Sequence, residues 1–188
     1  MKTRRNRLIE FILVVSIIVI ISCLLYFIGA EQIVAYVGVE NTYLVLFFIA
    51  LFGGMTSVGG TSYIASILTF VSGGADPMLV AVAAGLGTGI GDTVYFLAAK
   101  KGNKVLSEGR IKHWTESFTA WLRSHGEAFK FFVIYLYVGF TPLPNDPLTI
   151  ALGFGNARKK VVIPALFLGD TTLALLLALF GNNLPFIG

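Results

Sequence analysis

The chain has 188 residues, 56% of them apolar and 13% charged, where an ordinary soluble domain carries about 25% charged residues. A mean hydropathy of +0.82, reached through several long apolar runs, excludes an ordinary soluble domain and points to a polytopic membrane protein. The net charge of +4 does not read as a nucleic-acid signal, because the basic residues stand in short clusters between apolar stretches, and the single cysteine, Cys23, gives no disulfide framework.

The first apolar stretch, residues 8–30, follows Lys2, Arg4, Arg5 and Arg7 and carries Glu10 near its start, where the carboxylate can snorkel to headgroups. It exceeds the 7–15 residues of a signal-peptide core and predicts a retained transmembrane helix. Residues 43–74 are apolar but interrupted by Gly53, Gly54, Gly59 and Gly60, among Thr56, Ser57, Thr61 and Ser62. Each half is too short for a bilayer of ~30 Å at 1.5 Å per residue, which predicts a re-entrant hairpin. Residues 77–99 then predict a full span, opened by Pro77 and closed by Lys100 and Lys101.

Residues 103–127 are hydrophilic, with Ile111, Trp114, Phe118, Trp121 and Leu122 on one helical face and Arg110, Lys112 and Arg123 available for headgroups. This predicts a cytoplasmic amphipathic helix at the interface; a connector packed on the end of the membrane domain is compatible with the same pattern. Residues 128–155 form a second broken segment, where Pro142, Pro144 and Pro147 rule against a continuous helix and predict a second re-entrant hairpin. After Arg158, Lys159 and Lys160, residues 161–181 predict the last span. The expected fold is an all-α integral membrane protein, one membrane domain over residues 1–188.

Charge sets the orientation. With both broken segments re-entrant, all fourteen Lys and Arg fall on one side, and Glu31, Glu40 and Asp76 on the other. The positive-inside rule then places the N-terminus in the cytoplasm and the C-terminus outside, in the cell membrane. The order of elements also repeats. Phe47-Phe48, a break at 56–65 and a span carrying Gly91-Asp92-Thr93 parallel Phe131-Phe132, a break at 141–150 and a span carrying Gly169-Asp170-Thr171. With the topology above this is an inverted repeat of hairpin plus transmembrane helix, and transporters of that construction bind substrate near the midplane, where broken helices meet.

Asp92, Asp146 and Asp170 are the acids deep in the apolar segments, and each would cost roughly 2.5–3.5 kcal/mol at a lipid-facing helix centre. They must face protein or water, where a carboxylate can carry a proton during transport; the structural alternatives are capping by Asp146 and bridging of the hairpins by Asp92 or Asp170. Backbone donors freed at 59–62 and 145–149 would suit an anionic group such as a phosphate, or simply let the chain turn. Lys130 and Arg158 stand where they could attract an anionic headgroup, though topology explains them equally. Gly85 with Gly89 and Gly87 with Gly91 predict close helix packing. His113 and His125 have no partner at metal-ligand spacing, and no buried Ser/His or Cys/His pair can be assembled, so neither a metal, a cofactor nor an enzymatic activity is expected.

Gly91-Asp92-x-x-Tyr95 leading to Lys101-Gly102, and Phe140-x-Pro142 leading through Ala151-x-Gly153 to the basic cluster, resemble the DedA family, also called the VTT or SNARE-associated membrane proteins, over roughly residues 43–180. The resemblance implies lipid movement between leaflets: bacterial members are implicated in returning polyprenyl phosphate to the cytoplasmic leaflet, often with a dependence on proton motive force, and eukaryotic relatives scramble phospholipids. The family's Pro-x-Glu in the first hairpin and two arginines in the second are replaced here by Gly60-Thr61 and by Gly139 and Asn145. That marks a divergent branch, with the acidic Asn145-Asp146-Pro147 in place of a cationic element.

The resulting expectation is a lipid transporter flipping a polyprenyl phosphate or related phospholipid, with protons as the coupling partner. Its substrate or proton pathway is assigned to Asp146, Asp92, Asp170, Asn145, Thr141, Thr61 and Tyr95, with Lys130 and Arg158 attracting headgroups. A homo-oligomer is compatible with the sequence. The alternatives are a proton-coupled exporter of small cations and a non-transporting membrane scaffold.

Overall fold

The computed structural model describes residues 41–53, 60–102, 120–121, 124–141, 143 and 145–180. Among them the chain forms six helices and no strand: α1 (Thr42–Gly53), α2 (Gly60–Ser72), α3 (Pro77–Gly102), α4 (Glu127–Phe140), α5 (Asp146–Phe154) and α6 (Lys159–Phe180). Helices α3 and α6, of 26 and 22 residues, are long and apolar enough to cross a membrane. The span expected at 8–30 and most of the amphipathic helix expected at 103–127 lie outside the described residues.

Local chemistry sets the helix ends. Asp76 Oδ1 accepts the backbone N–H groups of Met78 and Leu79 at 2.9 Å each, capping α3 while Pro77 takes a first-turn position that needs no donor. Helices α2 and α5 end in the same motif. Gly74 (φ 91°) and Asn156 (φ 58°) are left-handed, and each is bracketed by a 3.0 Å pair: Gly74 N–H to Val71 O with Ala75 N–H to Phe70 O, and Asn156 N–H to Gly153 O with Ala157 N–H to Leu152 O. These are Schellman caps, in which glycine carries no steric penalty and asparagine is the usual substitute. Helix α4 stops at Thr141, extended at φ −115°, ψ 129°, as expected for a residue that precedes proline.

Each pair of short helices returns to the end of the bundle where it began. Tyr43, at the start of α1, accepts the Asp76 N–H at 3.1 Å, just beyond α2. Glu127, at the start of α4, pairs with Arg158, just beyond α5, and Lys100 Nζ donates to Ala157 O at 2.5 Å. The first pair therefore opens and closes beside Asp76, and the second beside Lys100. Helix α3 connects the two ends and α6 runs antiparallel to it, with Gly85 against Thr171 and Gly89 against Phe167.

The α3–α6 seam is the centre of the bundle; α1 packs on α3, α4 on α6, α5 crosses onto α3, and α2 touches α1, α3 and α6. Glycines allow these approaches, and the two faces of α3 use different ones. A methyl at Gly87 would meet Ala50 Cβ at 2.8 Å and Leu51 N at 2.9 Å on α1, and one at Gly89 would meet the Phe167 ring at 2.7 Å on α6. At Gly153 it would meet Phe96 O at 2.6 Å, and at Gly169 the Val138 Cβ at 2.7 Å. Two apolar cores result. One joins Leu46, Ile49, Ile67, Phe70, Val80, Ala84 and Ala174, and the other joins Phe96, Ile134, Val138, Leu152, Val162 and Leu166.

The obstacle at Gly87 is partly main chain, which cannot yield, whereas at Gly89 it is a ring that can rotate. Gly87→Ala is expected to cost about 1–3 kcal/mol and Gly89→Ala clearly less. Thermal unfolding in detergent measures both, and equal shifts would contradict the distinction.

Candidate functional site

Between the two apolar cores lies a polar gap. On α3 the cores use residues up to Ala84 and from Phe96 onward, and on α6 up to Leu166 and from Ala174 onward. Asp92 and Asp170 fall in the interval on each helix, 0% and 2% exposed. The residues that the sequence pairs as repeat equivalents therefore meet in the middle of the α3–α6 seam.

They meet through one amide. Asn145 Nδ2 donates to Asp92 Oδ2 and to Asp170 Oδ1, both at 3.1 Å. The proline-rich break delivers it: Asn145 stands just before α5 with φ −76° and ψ −19° and makes no side-chain cap bond to its own helix. Its carbonyl instead takes the N–H of Thr149 at 2.9 Å and the Thr149 hydroxyl at 3.1 Å. Thr149 thus ties the first turn of α5 to the Asn145 carbonyl, and the Asn145 amide N–H groups turn to the two acids.

The cluster is under-satisfied. Asp92 Oδ1, Asp170 Oδ2, Asn145 Oδ1 and the neighbouring Thr93 Oγ1 are buried without a hydrogen-bond partner among the described residues, whereas buried polar atoms are as a rule paired. No basic side chain reaches either carboxylate among the described residues. Such a pair can hold a proton or a small cation, either of which relieves the repulsion between two acids taken out of water. Among the described residues no three His, Cys, Asp or Glu side chains converge as a metal site would require.

Around this centre stand three further groups. Asp146, half-buried at the start of α5, acts electrostatically on Asp92 and on Tyr95 of α3. Tyr63 of α2, 6% exposed, lies within electrostatic reach of both Asp92 and Asp170. Sequence reasoning missed Tyr63, because a tyrosine in an apolar arm reads as core filling; its only signal is its position just after Gly59-Gly60. Thr141 turns away, its hydroxyl donating to Tyr137 O at 2.5 Å. Thr61 belongs to the first turn of α2, with its side chain outside the described residues.

Lys130 and Arg158 come together elsewhere. At the Lys100 end a cleft of about 420 Å³ opens between the start of α4 and the α5–α6 turn, and both residues line it with His125, Glu127 and Asn156. Neither Asp92 nor Asp170 reaches it. No protein-family model, curated protein or solved structure matches the chain.

Removing the shared donor strands two buried acids, at a cost of about 1–3 kcal/mol or more for each group left unpaired. Asn145→Leu should therefore lower the unfolding temperature in detergent well beyond Thr141→Val, which loses one local helix-end bond. The double variant Asp92→Asn/Asp170→Asn should show no comparable loss at raised pH, because it removes the buried charges while each side chain keeps an amide oxygen that can accept from Asn145. If Asn145→Leu and Thr141→Val proved equally mild, the amide would not be holding the pair.

Proposed function

We propose that the protein is a multi-pass transporter of the cell membrane in which Asp92, Asp170 and Asn145 form the coupling centre. The observation that carries this reading is the buried acid pair, joined by one amide from the break of a folded-back helix pair and left with unpartnered oxygens. Intramembrane acids are by default functional, since they are costly wherever they are not used. Large apolar side chains turned outward along α3 (Leu79, Val82, Leu86, Ile90 and Val94) and on α4 (Phe132, Leu136 and Phe140) suit a lipid-facing surface.

In this reading the helix triplets α1–α3 and α4–α6 are the two halves of an inverted repeat, each a re-entrant hairpin plus a span, with the N-terminus cytoplasmic and the C-terminus outside. The shared packing scheme, the paired Schellman caps and the meeting of Asp92 with Asp170 support it. The substrate is a phosphate-bearing lipid, in keeping with the resemblance to the DedA family, and a polyprenyl phosphate is the form proposed. Asp92 and Asp170 take up a proton from one side and release it to the other as the Asn145 tip shifts between them. Asp146, Tyr95 and Tyr63 border the path.

The acid pair without a base also favours a second reading, exchange of a small monovalent cation for a proton. Proteoliposomes carrying a labelled short-chain polyprenyl phosphate, with and without an imposed pH gradient, separate the two. Lipid movement should accelerate with the gradient, and Asp92→Asn and Asp170→Asn should each lower the gradient-driven rate about tenfold or more, or 1.4 kcal/mol on the barrier. Proton release driven by sodium or potassium, with no lipid movement, would replace the lipid reading by the cation one.

A further inference from the structure

Each residue of the α3–α6 seam cluster spends one polar atom on the amide bridge and keeps another. Asn145 Nδ2 carries two hydrogens, and Asp92 Oδ2 and Asp170 Oδ1 accept one each. Three oxygens remain, Asp92 Oδ1, Asp170 Oδ2 and Asn145 Oδ1, all buried and without a partner among the described residues. With the acids ionised all three can only accept, so a further acceptor group cannot relieve them. Thr93 Oγ1, on the next residue of α3 and also unpartnered, differs in that its own hydrogen can donate.

The bridge also fixes where these oxygens stand. The acids come from the facing helices α3 and α6 and the amide from the break before α5, so three chain segments are tied together at one buried point. Asp92 and Asp170, 0% and 2% exposed, are shielded from water. The possible sources of positive charge differ in reach. No basic side chain reaches either carboxylate among the described residues. A proton sits on one oxygen and is shared with at most one more, which leaves the third unserved. A metal ion takes several oxygens at once. Calcium takes about 6–8 of them and magnesium a near-ideal octahedron, more than three residues supply here. Softer transition metals favour imidazole or thiolate ligands, which the cluster lacks. An all-oxygen set with few ligands suits an alkali cation, and transporters with broken helices hold their coupling cations at such breaks near the midplane.

We propose that Asp92, Asp170 and Asn145 bind one monovalent alkali cation, sodium or potassium, through Asp92 Oδ1, Asp170 Oδ2 and Asn145 Oδ1, while the Asn145 N–H bridge holds the two carboxylates in place. The amide then has two tasks: its nitrogen positions the acids and its oxygen joins them as a ligand. The site uses the residues of the proposed coupling centre, and that its cation drives transport rests on that reading; the binding itself stands on the three oxygens.

Thermal unfolding of the full chain in a neutral detergent, at fixed pH and ionic strength, tests this with sodium, potassium or the bulky N-methyl-D-glucamine as the cation. Sodium or potassium should raise the unfolding temperature in a saturable manner, as a ligand of the folded state does, and N-methyl-D-glucamine should not. The ion that acts at the lower concentration is the one the site selects. Asp92→Asn and Asp170→Asn should each raise the half-saturating concentration about tenfold or more, whereas Glu127→Gln, on the surface, should leave it unchanged. Equilibrium binding of radioactive sodium or rubidium well below the unfolding temperature reads the same affinities in any variant that is merely less stable. The proposal would be overturned by the absence of saturable binding, by tighter binding of magnesium or calcium, or by affinities indifferent to both aspartate substitutions. Should neither alkali cation bind while Asp92→Asn still stops gradient-driven lipid movement, the cation site falls and the coupling centre stands. Sodium or potassium binding with lipid movement intact in Asp92→Asn supports the site and removes the coupling role.

Discussion

One amide group organises the molecule. Asn145 is the bridge between Asp92 and Asp170, and every larger feature of the bundle is what brings three chain segments to that point. Helices α3 and α6 must approach closely enough for a single side chain to span their carboxylates, which Gly85 and Gly89 permit. The second helix pair must fold back halfway along them, which the proline-rich break imposes. Thr149 ties the first turn of α5 to the Asn145 carbonyl, and the Asn145 side chain makes no cap bond to its own helix. A hydrogen bond to a charged group contributes about 1.5–3 kcal/mol, while taking a carboxylate out of water costs several. Two such bonds do not offset two buried acids carrying full charge. The arrangement is therefore poor as a stabilising device.

The placement between two apolar cores follows from the same economy. Were the acids inside either core, each unpartnered oxygen would sit against methyl groups with nothing to relieve it. At the boundary, polar neighbours from three other positions, Tyr63, Tyr95 and Asp146, can collect around them.

Much of this was legible in the sequence, for physical reasons that differ by residue. Glycine and proline mark breaks locally, so the boundary between α1 and α2 and the one between α4 and α5 needed no tertiary information. Pro77 announced the start of α3. The glycine spacing on α3 announced close packing, though not that Gly87 would serve α1 while Gly85 and Gly89 serve α6; that depends on the angular position of neighbours. Asp92 and Asp170 stood out because a charge in an apolar run is costly in any fold. Their centre did not: the sequence draws the eye to Asp146, a charge, while the bridging role goes to the neutral residue before it. Which of two adjacent side chains points into a seam is decided by how the helix begins. Tyr63 stayed hidden because aromatic residues in apolar arms have many uses, and the shared cleft of Lys130 and Arg158 because only the closure of α4 against α5 brings those residues together.

The two ends of the bundle sharpen the meaning of the charges. Asp76 and Arg158 hold the same station, two residues beyond the left-handed cap residues Gly74 and Asn156 and just before a long helix. Helix dipoles favour negative charge at that station by about 0.3–1 kcal/mol and disfavour positive charge similarly. Asp76 obeys and caps α3. Arg158, followed by Lys159 and Lys160, opposes the dipole of α6 three times over. Helix stability therefore cannot account for both stations, and something outside the helix must set the sign. A membrane with a preferred side for basic residues would do so for the cluster as a whole.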